Sequence, residues 1–320
     1  MRTALIHPGA IGDLVLTLPL VQTLARRERN AVELVASSQR AQLFAGRSAV
    51  SSARSLDDLP LAELFDSSAQ PPVRVSEKLA DWLAGCQRII VGLPSEAFVA
   101  NLRLVFTGPV VALDVRPSAI EASHLHASEF LHRQLFDSPP PTPELFVSAE
   151  ELRQGRELLG QTERPVAVIH PGSGGVPKCW PMESFAQVAA ELAGQGWQVV
   201  FVLGPAEQDR MPVSVRANLA GARAEEFRVL HDLSLPQLLC VIAAADTFLG
   251  NDSGPTHLAA ALGKPTVALF GPTDPATWSP RGRSVRVLRG QPDQSDWHLD
   301  PTEVARTILA AQSRSPADPK

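Results

Sequence analysis

The sequence lacks several features that would place it in particular protein classes. It has no tyrosine and only three cysteines, Cys86, Cys179 and Cys240, among 320 residues. The cysteines are scattered without CxxC spacing, which fits a reducing compartment and argues against a disulfide framework or a zinc site. No apolar run approaches the roughly 18 residues that a membrane-spanning helix requires. His7 and Pro8 interrupt the first apolar run before a signal-peptide core can form, so we expect a cytoplasmic protein, with peripheral contact at the inner membrane left open.

The charge balance excludes a further class. The net charge is −5, so the sequence lacks the basic surplus that nucleic-acid binding needs, and we expect no nucleic-acid partner. Lysine is scarce, because the 29 basic residues include only four lysines. The setting of Lys178 is therefore informative.

Both halves of the chain alternate strands with helices. In the first half, strand-like runs at 2–7, 32–36, 88–92 and 110–114 are separated by helical stretches. Pro19 is expected to kink the first helix or delay its regular part. A proline-rich segment at 137–165 separates the halves and predicts domains of residues 1–145 and 146–320. The alternation predicts an α/β protein of two Rossmann-like βαβ domains facing across a cleft, with ligands at the carboxyl ends of the strands.

The second half opens with PVAVIHPGSGG, which mirrors TALIHPGAIGD at the start of the chain. Both segments combine an apolar strand with a glycine-rich turn. The predicted helices of this half cover residues 149–160, 182–193, 208–221, 235–245, 255–262 and 302–311. The predicted strands that follow the opening cover residues 198–203, 228–230, 247–249 and 266–270.

The most specific motif is GNDSGPTHLAAALGKPTVALFGPTDP, residues 250–275. A strand ends near Gly250, and Asp252 or Ser253 can cap the following helix. Ser253 and Gly254 then expose backbone N–H groups at the positive end of that helix, which is an anion site suited to a pyrophosphate. His257 lies on the first turn and can donate to a phosphate oxygen. The alternative is an ordinary capped helix with a partly buried histidine.

The second motif is HPGSGGVPKCWP, residues 170–181. Ser173, Gly174 and Gly175 can form a turn whose N–H groups cradle phosphate, and Lys178 can supply a charge to a departing diphosphate. The spacing matches neither a Walker A motif nor GxGxxG. By itself, a glycine-rich turn near a lysine is also compatible with a purely structural loop.

The third motif is the GAIGD segment, which leads from the first strand into a helix and contains Gly12 and Asp13. A carboxylate at such a turn can accept a proton from an attacking hydroxyl. The alternative is a helix-capping aspartate. Elsewhere, His124, His126 and His132 lack a carboxylate partner, so we predict no metal site.

Together the three motifs, in this order along the chain, resemble glycosyltransferase family 9, the heptosyltransferase family of lipopolysaccharide assembly. The resemblance implies a GT-B fold with an N-terminal acceptor-binding domain and a C-terminal donor-binding domain. It implies inverting, metal-independent transfer, typically from ADP-heptose. The expected partners are a nucleotide-sugar donor and a glycan or glycolipid acceptor, and no cofactor is expected besides the donor.

The resemblance also assigns roles by position. Asp13 matches the family's proposed general base, with Gly12 beside it on the acceptor side, and Lys178 matches the lysine that contacts the donor phosphate. The donor-binding positions implied by the resemblance are Ser173, Gly174, Gly175, Glu207, Leu233, Asp252, Ser253, Gly254 and His257. Glu207 corresponds to an acidic residue for the ribose, and Leu233 to a backbone group that meets the base.

The first domain departs from the family pattern, in which a basic loop often meets an anionic acceptor. Residues 40–75 contain four arginines and four carboxylates, namely Arg40, Arg47, Arg54, Arg74, Asp57, Asp58, Glu63 and Asp66. The sequence therefore predicts an acceptor that is less anionic than a phosphorylated lipid A core.

Two other classes of protein remain as alternatives. A dehydrogenase or sugar-nucleotide epimerase is disfavoured, because the chain lacks GxGxxG and, without tyrosine, lacks the YxxxK pair. A non-catalytic family member that binds a nucleotide sugar as a sensor or scaffold is disfavoured by the presence of both Asp13 and Lys178.

Overall fold

The computed structural model describes residues 1–66, 73–122, 124–160, 162–204, 227–291 and 297–312. The chain divides into two compact units, unit 1 (Met1–Pro143) and unit 2 (Glu144–Lys320). Each unit contains one parallel β-sheet.

Unit 1 alternates strands and helices. Its strands are β1 (Arg2–Ile6), β2 (Ala31–Ala36), β3 (Val50–Ser55), β4 (Cys86–Val91) and β5 (Val110–Ala112). Its helices are α1 (Ile11–Glu28), α2 (Ser38–Phe44), α3 (Glu77–Ala84), α4 (Glu96–Val105), α5 (Ala119–Ala122) and α6 (Ala127–Arg133), with 3-10 turns at Leu56–Asp58 and Leu61–Leu64.

Unit 2 repeats this alternation. Its strands are β6 (Val166–His170), β7 (Gln198–Leu203), β8 (Phe227–His231), β9 (Thr247–Asn251), β10 (Thr266–Phe270) and β11 (Val285–Arg289). Its described helices are α7 (Ala149–Leu159), α8 (Met182–Gly194), α9 (Leu235–Ala244), α10 (Gly254–Ala261), α11 (Pro275–Trp278) and α12 (Pro301–Gln312), with a 3-10 turn at Val176–Lys178. Among the described helices, none combines the length and apolar character needed to cross a bilayer.

The sheet of unit 1 has the order β3-β2-β1-β4-β5, with every pair parallel. In the register of the central strand, Ile6 lies beside Val35 and Val91, and all three side chains are fully buried. Such strands are apolar along their whole length because helices cover both faces of a parallel sheet. This burial fixes β1 at the centre and directs its carboxyl end to the GAIGD segment.

A buried carboxylate ties three parts of unit 1 together. Glu33, in β2, accepts hydrogen bonds from Arg2 Nε at 2.7 Å, Arg54 Nε at 3.1 Å and Trp82 Nε1 at 2.7 Å. These donors compensate for the cost of burying its charge. The charge of Arg54 is thus used in an ion pair that stabilises the fold of unit 1.

The sheet of unit 2 has the order β11-β10-β9-β6-β7-β8 and is also parallel throughout. Its core is built on the buried strands and on α8 and α12, with Trp180, Phe185 and Phe201 among the buried side chains. Helices α7 and α9 pack closely on each other, as a Cβ at Gly155 would lie only 2.0 Å from the Cys240 carbonyl oxygen. Glycine is required there by the close approach of two helices.

Each sheet has a topological switch point. In unit 1 the chain passes from β1 to β2 and β3 on one side and then resumes with β4 on the other side of β1. In unit 2 it passes from β6 to β7 and β8 and then resumes with β9 on the other side of β6. Ligands of open α/β sheets bind where strand order reverses in this way. The GAIGD segment follows β1, and the two motifs of the second half follow β6 and β9, so all three lie at switch points.

The predicted α/β class with parallel sheets is confirmed, and the predicted strands 198–203 and 266–270 match β7 and β10. Pro19 was expected to kink the first helix or delay its regular part, and it does not delay the helix, since α1 begins at Ile11 and continues through Pro19 to Glu28. Burial of Leu18 and Leu20 on either side offsets the hydrogen bond that proline cannot make.

Two strands, β3 and β11, were not predicted from the sequence. Both are edge strands, and their sequences VSSARS and VRVLR mix polar with apolar residues. An edge strand has one neighbour and needs less apolar surface than a central strand, so its sequence signal is weak. The predicted helix at 208–221 and the predicted site residue Glu207 lie outside the described residues.

Candidate functional site

In unit 2, Asn251 joins the two loops of the switch point. This last residue of β9 is fully buried, and its Nδ2 donates to the Pro171 carbonyl at 2.7 Å. Its Oδ1 accepts from the Trp180 backbone N–H at 3.2 Å. Both ends of the 171–180 loop are therefore fastened to the strand that carries the second donor motif.

Asp252 is the charged centre of this site. Its side chain is only 9% exposed, and Oδ2 accepts hydrogen bonds from Lys178 Nζ and Thr273 Oγ1, each at 2.8 Å. Its Oδ1 lies 3.8 Å from His257 Nε2. Burial, the largest single influence, acts to raise the pKa of Asp252, but the combined effect of His257 and Lys178 lowers it to about 2. Asp252 is therefore ionised at neutral pH and neutralised by the lysine.

The N-terminus of α10 offers backbone donors beside this carboxylate. Ser253 is the N-cap and makes no side-chain capping bond; its hydroxyl lies 3.1 Å from Thr256 Oγ1 instead. No acceptor for the backbone N–H groups of Ser253 and Gly254 occurs among the described residues. Two free N–H groups at a helix N-terminus favour an anionic ligand.

The 171–178 loop reaches the same place. Ser173 Oγ donates to the Asp252 carbonyl at 2.6 Å, so the loop is bonded to both the backbone and the side chain of Asp252. A Cβ at Gly174 would meet no atom within 4 Å, and one at Gly175 only Pro177 Cδ at 3.8 Å. Internal packing does not demand glycine at either position, and the open space leaves the loop backbone accessible to a ligand.

His257 and Leu233 are placed differently from the phosphate donors. His257 is 3% exposed and faces Asp252, and its Nδ1 has no hydrogen-bond partner among the described residues. Leu233 lies half-buried in the turn between β8 and α9, at the carboxyl edge of the same sheet. The turn is fixed by Ser234, which caps α9 in a capping box with Gln237.

In unit 1, Asp13 is the third residue of α1, next to Gly12 in its first turn. Its Oδ2 accepts the backbone N–H of Ala10, the N-cap residue, at 2.9 Å. The aspartate therefore does cap the helix. The bond occupies one oxygen, and for Oδ1 no hydrogen-bond donor occurs within the described ranges.

His7 packs against the same turn. It is 1% exposed, and its Nδ1 accepts the Gly9 backbone N–H at 3.0 Å. Burial lowers the pKa of His7 more strongly than the nearby charge of Asp13 raises it, so the ring is neutral. A Cβ at Gly9 would lie 2.4 Å from the His7 ring and 2.8 Å from Asp13 Cβ, so only glycine fits between them.

Four residues of these sites were not predicted from the sequence, namely His7, Arg40, Asn251 and Thr273. The available signal for Asn251 and Thr273 was the 250–275 motif, which contains both. Their contacts could not be predicted, because Pro171, the partner of Asn251, is 80 residues away. The bond of Thr273 to Asp252 depends on how the chain folds between these two residues. Arg40 had no signal. Its Nη1 donates to the carbonyls of Pro8 at 3.1 Å and Gly9 at 3.0 Å.

A cavity of about 650 Å³ lies in unit 1 at the carboxyl ends of β4 and β5. Its lining includes Glu96, Arg103 and Asp114, two carboxylates to one guanidinium. No group of three or more His, Cys, Asp or Glu side chains arranged to hold a metal ion occurs in the part of the chain that the structure describes. His126 and His132 bond instead to Ser128 and Thr23, each at 2.9 Å.

Comparison with known proteins gives a family match and several similar chains. The model of glycosyltransferase family 9 (heptosyltransferase) matches residues 98–302. Lipopolysaccharide heptosyltransferase 2 of Salmonella typhimurium is 35% identical over 158 residues, covering 48% of this chain and 45% of that protein. Lipopolysaccharide heptosyltransferase 3 of Escherichia coli is 30% identical over 198 residues, covering 58% and 56%. The chain thus spans about half the length of the curated relatives it matches.

Among solved structures, ADP-heptose lipopolysaccharide heptosyltransferase II of E. coli superposes with a TM-score of 0.76 at 23% identity, covering 98% of this chain and 100% of that chain. A glycosyltransferase family 9 protein from Veillonella parvula gives the same TM-score at 18% identity, covering 98% of each chain. These likenesses establish the fold. With the match of the family model to most of the chain, they identify the protein as a member of glycosyltransferase family 9, the heptosyltransferase family.

Proposed function

We propose that the protein transfers heptose from ADP-heptose to a hydroxyl of a glycan or lipopolysaccharide-type acceptor. The observation that carries the proposal is the cluster at the switch point of unit 2, where Lys178 and the free N–H groups of Ser253 and Gly254 surround Asp252. The proposal is also supported by relatives whose names state heptose transfer, such as lipopolysaccharide heptosyltransferases 2 and 3. The reaction is proposed for the cytoplasm, at the inner face of the membrane where a lipid-linked acceptor is held.

The donor diphosphate is proposed to bind at the α10 N-terminus. The N–H groups of Ser253 and Gly254 donate to its oxygens, and the remaining protons of the Lys178 ammonium bridge to it from the opposite loop. A bare carboxylate at this position would repel a diphosphate, so the ion pair of Asp252 with Lys178 is needed before binding. Fixed donors and one lysine then balance the charge that a divalent cation balances in other transferases.

The chemical step is proposed to be a single displacement. The acceptor hydroxyl attacks the anomeric carbon, and the bond from that carbon to the β-phosphate oxygen breaks, so the configuration inverts. Asp13 takes the hydroxyl proton on its open Oδ1, while Oδ2 stays bonded to Ala10. ADP leaves with the bonding electron pair, stabilised by Lys178 and the helix N-terminus. Positioning of the acceptor against Asp13 supplies most of the rate enhancement, because a carboxylate is a weak base.

The test has a binding arm and a transfer arm. In thermal-shift measurements with ADP, GDP, UDP and CDP, each with its common sugars, ADP and ADP-heptose should stabilise the protein most; a ligand at about 100 times its Kd adds roughly 2.7 kcal/mol. Incubation of ADP-heptose with core glycans from heptose-deficient lipopolysaccharide should release ADP and give a product of inverted anomeric configuration by NMR. Stabilisation without any transfer would support the sensor or scaffold alternative. Preference for another nucleotide would refute the donor assignment.

A further inference from the structure

Three side chains hold the short turn between β1 and α1, residues 7–10. The Gly9 N–H is bonded to His7 Nδ1 at 3.0 Å, and the Ala10 N–H to Asp13 Oδ2 at 2.9 Å. Arg40 Nη1 completes the set by donating to the carbonyls of Pro8 and Gly9. Arg40 comes from α2, beyond the neighbouring strand β2, so among these three side chains it is the one that reaches the turn from a separate element.

The arginine contact acts on the same peptide units that place Asp13. Gly9 is fixed on its amide side by His7 and on its carbonyl side by Arg40, at 3.0 Å in each case. The next residue, Ala10, is the N-cap whose amide holds the Asp13 carboxylate. The position of the open Oδ1 therefore depends on a chain of contacts that begins at Arg40.

We propose that Arg40 is a positioning residue for the transfer reaction, which clamps the Pro8–Gly9 backbone and so keeps the Asp13 carboxylate aligned for proton transfer. The proposal rests on the proposed function, because it gives Arg40 a role only through Asp13. A guanidinium suits the task, since it is always charged and its terminal NH₂ group carries two N–H donors, one for each carbonyl oxygen. A misplacement of about 1 Å at a catalytic group can cost about 10²-fold in rate.

The chain supplies a matched control in Arg47. Its Nη1 also donates to two backbone carbonyls, those of Gln42 at 3.2 Å and Leu43 at 2.9 Å, but these lie within α2. Arg47→Gln removes the same charge and the same kind of contact without touching the turn of Asp13. A merely structural effect on α2 should therefore appear in both variants.

The experiment compares Arg40→Gln, Arg40→Lys and Arg47→Gln with the wild type, using ADP-heptose and core glycans from heptose-deficient lipopolysaccharide. We expect Arg40→Gln to lower kcat about 10- to 100-fold with little change in the KM for ADP-heptose, Arg40→Lys to recover part of that loss, and Arg47→Gln to match the wild type. In the Asp13→Asn background, Arg40→Gln should add less than a twofold effect, because the group through which it acts is gone. If the kcat losses of Arg40→Gln and Asp13→Asn multiply in the double variant, the proposal is overturned. An effect of Arg40→Gln confined to the KM for the acceptor would also overturn it, because Arg40 would then be an acceptor-binding residue.

The outcomes separate the two proposals. If the wild type transfers no heptose, the proposed function falls. If Asp13→Asn keeps wild-type turnover, the assigned base and the positioning role are wrong and the transfer function stands. If Asp13→Asn is impaired and Arg40→Gln is not, only the positioning role falls. Amide hydrogen exchange gives a readout that does not depend on turnover. Exchange at the Ala10 amide, which is bonded to Asp13, should be faster in Arg40→Gln and unchanged in Arg47→Gln, and equal exchange in all three proteins would contradict the clamp.

Discussion

Lys178 Nζ lies 2.8 Å from Asp252 Oδ2, and the two residues are 74 positions apart in sequence. The lysine is 38% exposed and the aspartate 9%, so the pair sits at the boundary between the core of unit 2 and solvent. One proton of the ammonium is used in the pair, and the others remain for a ligand. This arrangement makes Lys178 both the partner of a buried carboxylate and the candidate phosphate contact.

Lys178→Ala should weaken ADP binding and lower turnover. The change removes a charge-assisted phosphate contact and also leaves the Asp252 carboxylate without its cation, so the site becomes repulsive to a diphosphate. Calorimetric titration with ADP measures the binding effect, and Lys78→Ala, in an exposed position of unit 1, controls for the loss of one positive charge. Equal ADP affinity in Lys178→Ala and the wild type would show that the contact is not made.

Asp13→Asn should reduce kcat by about 10²-fold or more and leave the affinity for ADP nearly unchanged. The asparagine side-chain oxygen can still accept the Ala10 N–H, so the helix cap is preserved while the proton acceptor is lost. Steady-state kinetics and a melting curve of the same preparation separate catalysis from stability. Unchanged kcat in the variant would refute the assignment of Asp13 as base.

The stability contributed by Asp252 should fall with pH in the acid range. Its pKa is lowered from 3.8 to about 2, so the ionised form is favoured in the folded state. This contribution, about 2 kcal/mol, is fully present above about pH 5 and is lost as the pH falls towards 2. The difference in unfolding free energy between wild type and Asp252→Asn should narrow by about 1 kcal/mol between pH 5 and pH 3.

Urea unfolding at several pH values measures this difference. Asp274→Asn serves as the control, since Asp274 is exposed and caps the short helix α11 instead of pairing with Lys178. A difference in unfolding free energy between wild type and Asp252→Asn that stays constant from pH 5 to pH 3 would contradict the lowered pKa of Asp252.

Transfer activity should persist in excess EDTA. Lys178 and the N–H groups of Ser253 and Gly254 can neutralise the leaving diphosphate, so no divalent cation is needed for that task. ADP release is measured after chelation and again after addition of Mg²⁺ or Mn²⁺. Loss of activity with chelator, followed by recovery with metal, would refute the prediction.

The acceptor should be less anionic than a phosphorylated lipid A core. Of the arginines in the segment where the family often has a basic loop, Arg40, Arg47 and Arg54 are occupied by backbone carbonyls or by Glu33. The cavity at the ends of β4 and β5 contributes two carboxylates and one arginine. A highly charged acceptor would find little compensating charge on these residues.

The salt dependence of kcat/KM across acceptors tests this prediction. A neutral or weakly charged glycan should show little change between low and physiological ionic strength, because few charges are screened. A steep loss with salt, together with strong preference for a phosphorylated lipid A core, would contradict it.

Much of the fold was predictable because its signals are local. The apolar runs 198–203 and 266–270 predicted buried parallel strands, and the segment from Asp252 to Gly254 predicted the helix N-terminus at which α10 begins. The edge strands β3 and β11 escaped prediction because one-sided pairing demands little apolar sequence. Pro19 does not delay α1, because packing of the buried residues beside it against the rest of unit 1 stabilises the helix despite one missing hydrogen bond.

The family, the alternation of strands and helices, and the chemical types at the site are all readable from local sequence: a lysine, an aspartate and exposed helix-end amides. Three contacts appear only in the folded chain: Lys178 pairs with Asp252, Asn251 joins the 171–180 loop to β9, and Arg40 holds the turn of Asp13. The two contacts in unit 2 follow from strand order, which places β9 beside β6 although about 80 residues separate them. Local propensity carries no information on which loops become neighbours, because that choice depends on burying whole strands between helices.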